Sequence, residues 1–123
     1  MSARILIVDD DPICREIVTT ALAGKGRAIE SVGCGNKAVE TLDRHPPHLL
    51  ILDCALPGRS GIEVLRHVRG NAKLADVPVF LISARQSPGY QAAMLAEGAQ
   101  DYFTKPLDLP RIRTAVSAVV GIR

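Results

Sequence analysis

Tryptophan is absent from this 123-residue chain, and aromatic side chains make up only 3% of it. Any core must therefore be mostly aliphatic. No sign of charge dominates, since 15 Lys and Arg face 13 Asp and Glu for a net charge of +2. So mild a balance is not the electrostatic footprint of a nucleic-acid binder, and no direct nucleic-acid partner is expected. No apolar run is long enough to span a bilayer. Nothing at the start has the layout of a signal peptide, because "ILIV" (5–8) is too short and runs straight into acids. No membrane partner and a cytoplasmic location are the resulting expectations. The three cysteines, Cys14, Cys34 and Cys54, form no Cys-x-x-Cys pair, and their odd number leaves no disulfide framework. They read as buried small hydrophobes. His45, His48 and His67 have no metal-ligand spacing, and the first two bracket a Pro-Pro turn where exposure is expected.

What is present is ordinary globular material. Hydrophobic residues are 47% and charged residues 23%, and the length suits one compact domain spanning 1–123. Short aliphatic runs alternate with amphipathic segments. Strands are predicted at 4–8, 28–32, 49–53, 77–83 and 101–104. Helices are predicted at 12–23, 36–44, 61–70, 89–97 and 109–120. The helical faces expected to turn inward carry Cys14, Val18, Ala21 and Leu22; Val39 and Leu42; Ile62, Leu65 and Val68; and Ile112, Val116, Val119 and Val120. Glycines 24 and 26 and the prolines at 46 and 47 end the first two helices. Continuous aliphatic strands alternating with helices predict an α/β fold, with five parallel strands covered on both faces. In such a sheet the site lies beyond the carboxyl ends of the strands.

Those ends carry Asp9 and Asp10 after the first strand, Asp53 on the third, Ser83 on the fourth, and Lys105 with Pro106 after the fifth. If the strands are parallel, these residues converge. Three carboxylates beside one ammonium call for a further cation. All-oxygen donors favour a hard ion, Mg²⁺ first and Mn²⁺ next. A carboxylate beside such an ion can attack phosphorus, with a hydroxyl and an ammonium holding the phosphoryl oxygens. Asp11 has a different reading. It stands before Pro12 at a predicted helix start, as an N-cap.

The segments "VDDDP" (8–12), "LLILDCALPGRSG" (49–61), "LISA" (81–84) and "GAQDYFTKPL" (98–107) together resemble the receiver domain of two-component response regulators, over essentially the whole chain. Each piece is weak alone. Their order carries the likeness, with Asp53, Ser83 and Lys105 following Asp10 at successive intervals of 43, 30 and 22 residues. The resemblance implies a flavodoxin-like, doubly wound (βα)5 sandwich with strand order 2-1-3-4-5. It implies that Asp53 is the phosphoacceptor and takes its phosphoryl group from a histidine kinase or histidine phosphotransfer protein. It makes Asp10 a direct Mg²⁺ ligand, with Asp9 acting largely through water and the Ala55 backbone carbonyl adding a donor. Ser83 would bond the phosphoryl group, and Lys105 would pair with Asp53. The Lys105–Pro106 bond would be cis. Tyr102 would be a switch aromatic that turns inward as Ser83 moves. The fourth helix, fifth strand and fifth helix would form the output face, acting on a downstream protein or on an output domain outside this chain. Ile13 lies off the apolar stripe and, with Pro106 and Leu107, is expected to dock the phosphoryl donor. So read, the chain is a signalling domain rather than an enzyme, catalysing only its own phosphorylation and dephosphorylation.

Two positions depart from common receivers and bear on phosphate lifetime. Ala55 offers no side-chain hydrogen bond, and Arg85 is long and cationic. "SPGY" (87–90) is also unusual, and predicts a fourth helix that starts late or moves. The competing reading is a phosphatase resembling the haloacid-dehalogenase type, with Asp9 as nucleophile and Asp11 as general acid. That class needs a further acidic pair after its lysine, and only Asp108 follows Lys105.

Overall fold

The computed structural model describes residues 2–121. Its order is β1 (Ala3–Val8), α1 (Pro12–Leu22), β2 (Arg27–Val32), α2 (Gly35–Arg44), β3 (Leu49–Asp53), α3 (Gly61–Gly70), β4 (Val79–Ser83), α4 (Pro88–Ala96), β5 (Asp101–Thr104) and α5 (Leu109–Val120). The five strands are parallel and lie in the order β2-β1-β3-β4-β5.

Strand side chains alternate between faces, and here both faces are buried. Leu6, Val8, Leu50, Leu52 and Leu81 join α2 and α3 residues in one aliphatic cluster. Ile5, Ile7, Leu49, Ile51, Phe80 and Ile82 join α1 and α5 residues in the other. That is why β1, β3 and β4 read as unbroken apolar runs. The outer strand β2 is only half covered, which explains its weaker sequence pattern.

Several expectations are corrected. β4 starts at Val79 rather than at residue 77. Pro78 has no N–H for a ladder, although its carbonyl accepts from Leu50 N–H at 3.0 Å. α3 buries Val64 in place of Ile62, which is half-buried. The cysteines are half-buried rather than fully enclosed. α4 does not start late. It begins at Pro88, one residue before the predicted start, because Ser87 caps it by accepting from Tyr90 N–H and proline suits the first helical position.

Turn geometry aims the strand ends. α3 opens with a capping box, in which Ser60 and Glu63 satisfy one another's amides. Its first residue must be small, since a Cβ at Gly61 would run into the Asp53 carbonyl and come 2.6 Å from Cys54 Cα. No helix among the described residues is long and apolar enough to cross a membrane.

Candidate functional site

Parallel pairing brings the sequence-predicted residues to one edge. Asp53 pairs in register with Ile82, which sets the end of β3 beside Ser83. Asp9, Asp10 and Asp53 each place a carboxylate oxygen so that all three lie within 4.8 Å of one another. Asp9 is fully buried and Asp53 is 4% exposed, whereas Asp10 faces solvent. Lys105 reaches in from the end of β5, with its Nζ 2.7 Å from Asp53 Oδ2 and 3.0 Å from Asp9 Oδ2. The Lys105–Pro106 peptide bond is cis.

Backbone amides hold the acids in place. Ala55 N–H donates to Asp53 Oδ1 at 3.0 Å, and Asp11 N–H donates to Asp9 Oδ1 at 2.9 Å. Arg15, which sequence reasoning passed over, donates to the Asp9 carbonyl at 2.7 Å and pins the end of β1. Asp11 turns away and accepts from Ile13 N–H at 2.9 Å, as the cap of α1.

The two buried acids titrate in opposite senses. Burial raises the pKa of Asp9, but the Cys14 thiol, the Asp11 amide and Lys105 outweigh it and hold the carboxyl below its ordinary value. Asp53 lies above its ordinary value, because burial exceeds what Lys105 and the Ala55 amide return, and the Asp9 charge adds to burial. Burial opposes the charge on Lys105, yet its bonds to Asp53 and Asp9 win and raise its pKa. The neighbouring thiols are poor nucleophiles. Burial, then the Asp9 carboxylate, push Cys14 up to about 12, and burial raises Cys54 as well.

Ser83 is 4% exposed, and its hydroxyl accepts from Arg85 N–H at 3.0 Å. Tyr102 is turned inward at 5% exposure, and its hydroxyl donates to the Arg85 carbonyl at 2.8 Å. Ile13 is 68% exposed. It lines a groove with Ile17, Leu109 and Arg113, whereas Leu107 packs inward against the α1–α5 cluster and Pro106 stands apart from that groove.

The model of the response regulator receiver domain matches residues 5–117. The chain belongs to that family. Among curated relatives, the receiver resembles the response regulator MprA of Mycobacterium tuberculosis, at 35% identity over 98% of this chain and 51% of the relative. MprA of Mycobacterium leprae is also 35% identical, over 95% of this chain and 50% of the relative. The receiver thus spans about half the length of these curated relatives. Among solved structures, the receiver matches the BeF3-activated N-terminal receiver domain of Klebsiella pneumoniae RstA, at 26% identity and a TM-score of 0.86, covering 95% of this chain and 97% of that one. It also matches a LuxR-family two-component response regulator from Aurantimonas, at 28% identity and a TM-score of 0.84, covering 98% of this chain and 86% of that one. The phosphatase reading is overturned by the family match and by geometry. Its general acid, Asp11, turns away from the acidic cluster and caps α1.

Proposed function

We propose that this receiver domain accepts a phosphoryl group on Asp53 from a phosphohistidine of a histidine kinase or phosphotransfer protein. One observation carries the reading: Asp53 ends β3 in an acidic cluster, with Lys105 at 2.7 Å and two further carboxylates close by. In the step, a carboxylate oxygen of Asp53 forms a bond to phosphorus. The phosphorus–nitrogen bond to imidazole breaks, and its electron pair stays on the ring. The product is an acyl phosphate.

The donor set fits Mg²⁺. It is all oxygen, two of the acids are buried, and one lysine leaves negative charge uncompensated. Asp10, Asp9, Asp53 and the Ala55 carbonyl would hold the ion. Bound there, it would neutralise charge shared by the carboxylates and the phosphoryl oxygens. Lys105 stays charged because its pKa is raised, and it offers its donors to the oxygens that Asp53 gains. Ser83 accepts from the Arg85 amide and keeps its own proton to donate. Tyr102, on β5 and bonded to the loop after β4, relays the change to an α4–β5–α5 output face, for a downstream protein or an output domain. Ile13 and its groove dock the donor, with the exposed Pro106 as a second contact outside the groove and Leu107 supporting from the core beneath. The setting is cytoplasmic.

Intact-mass measurement after incubation with a small acyl-phosphate donor and Mg²⁺ tests the assignment. The wild type should gain one phosphoryl group, and Asp53→Asn should gain none. A phosphorylated Asp53→Asn protein would overturn it.

A further inference from the structure

Arg85 does three things at once. Its N–H bonds the Ser83 hydroxyl at 3.0 Å, and its carbonyl accepts from the Tyr102 hydroxyl at 2.8 Å. Its guanidinium lies over the Tyr90 ring, 4.0 Å from the centroid. Tyr90 in turn meets Tyr102 edge to face, with centroids 6.2 Å apart. The unusual Ser-Pro-Gly-Tyr stretch builds this arrangement. Ser87 caps α4 through Tyr90 N–H, which places the Tyr90 ring beneath the returning Arg85 side chain.

We propose that Arg85 is a positioning residue. Its side chain, clamped on Tyr90, fixes the loop whose backbone holds both the Ser83 hydroxyl and the inward Tyr102. The backbone bonds alone leave this loop poorly tethered, because residues 84–87 are all exposed. The cation–π stack is a tether that side chains add, beside the 3.5 Å bond from the Gln86 side-chain amide to the Lys105 carbonyl. Only the functional consequence rests on Asp53 being the phosphoacceptor: a shift of the Ser83 hydroxyl toward a phosphoryl group would pass through Arg85 to Tyr102 and Tyr90.

The composition supplies the probe. The chain has no tryptophan and two tyrosines, Tyr90 and Tyr102. Tyr90→Phe keeps an aromatic face for the guanidinium and leaves Tyr102 as the sole tyrosine, excited selectively above the phenylalanine absorption. In that background, Arg85→Ala should raise acrylamide quenching of Tyr102 roughly two- to fivefold, the range expected for loss of one exposed cation–π contact. Arg85→Lys should fall between the two. In a Tyr90→Leu background, where the ring face is already gone, Arg85→Ala should add nothing. Equal quenching in Tyr90→Phe and Tyr90→Phe/Arg85→Ala overturns the inference, as does full additivity of Arg85→Ala with Tyr90→Leu. A single cooperative melt well above the measurement temperature shows that the variants remain folded. No phosphoryl donor is present, so the result is independent of where phosphate goes, which intact mass reports separately.

Discussion

The ammonium of Lys105 is shared between Asp53 at 2.7 Å and Asp9 at 3.0 Å. One cation thus serves two carboxylates that are themselves almost fully buried. Removing it would leave two like charges facing one another out of water, the most costly arrangement a buried ion pair can be reduced to.

Lys105→Met is therefore expected to lower stability by about 3 kcal/mol at neutral pH. Urea denaturation measures this. Mg²⁺ should restore more stability to Lys105→Met than it adds to the wild type, because the ion takes over the missing positive charge. A variant as stable as the wild type without Mg²⁺ would show that the lysine does not compensate these acids.

Three consecutive aspartates should separate by role. Asp11 accepts from Ile13 N–H, so Asp11→Ser keeps the cap and Asp11→Ala costs about 1 kcal/mol. Neither should disturb Mg²⁺ binding measured by calorimetry. Asp10→Ser should weaken that binding and slow phosphoryl gain. Equal loss of Mg²⁺ affinity in Asp10→Ser and Asp11→Ser would contradict the division.

Two glycines of α3 should respond in opposite directions. At Gly61 a methyl group collides with the Asp53 carbonyl and the Cys54 backbone, so Gly61→Ala should cost about 3 kcal/mol. It should also slow phosphoryl gain, since the end of β3 must shift. Nothing lies within 4 Å of a Cβ at Gly70, so Gly70→Ala should be neutral or stabilise by up to about 1 kcal/mol. Thermal melts and mass-detected phosphorylation read both.

Acid should act on the capping box of α3. Hydrogen bonds from the Ser60 amide, then the Ser60 hydroxyl, hold the Glu63 carboxyl below its ordinary value of 4.5. A carboxyl whose pKa is depressed on folding adds stability above its ordinary value. That stability is lost as pH falls through the depressed one. Glu63→Gln should therefore flatten the pH dependence of the urea midpoint below pH 4.5. An unchanged slope would mean the bond contributes nothing to folding.

Much of this was legible in the residues. The unbroken runs of β1, β3 and β4 announced strands covered on both faces, and parallel pairing then placed Asp9, Asp10, Asp53, Ser83 and Lys105 together. Asp11 before Pro12 read as a cap because the chemistry of a helix start is local. Less legible were contacts made by side chains reaching across elements. Nothing in the spacing of Arg15 shows that its guanidinium returns to the Asp9 carbonyl. Arg85 read only as a long cation near Ser83, and the stretch after it as a helix start that would falter. Its backbone bonds and its stack on Tyr90 depend on rotamers and on the path of a loop, which periodicity does not encode.

Element order, the five-stranded parallel architecture and the acidic edge follow from the sequence itself, because alternation, apolar runs and turn residues act over a few neighbours. Which acid is buried, which shares Lys105, and which faces water was decided only by tertiary structure. Burial and the 2.7–3.0 Å bonds of Lys105 arise when strand ends 52 and 96 residues apart in the chain converge on one edge. The opposite titration of Asp9 and Asp53 is a consequence of that meeting: desolvation acts on both, and the hydrogen bonds each receives set the balance.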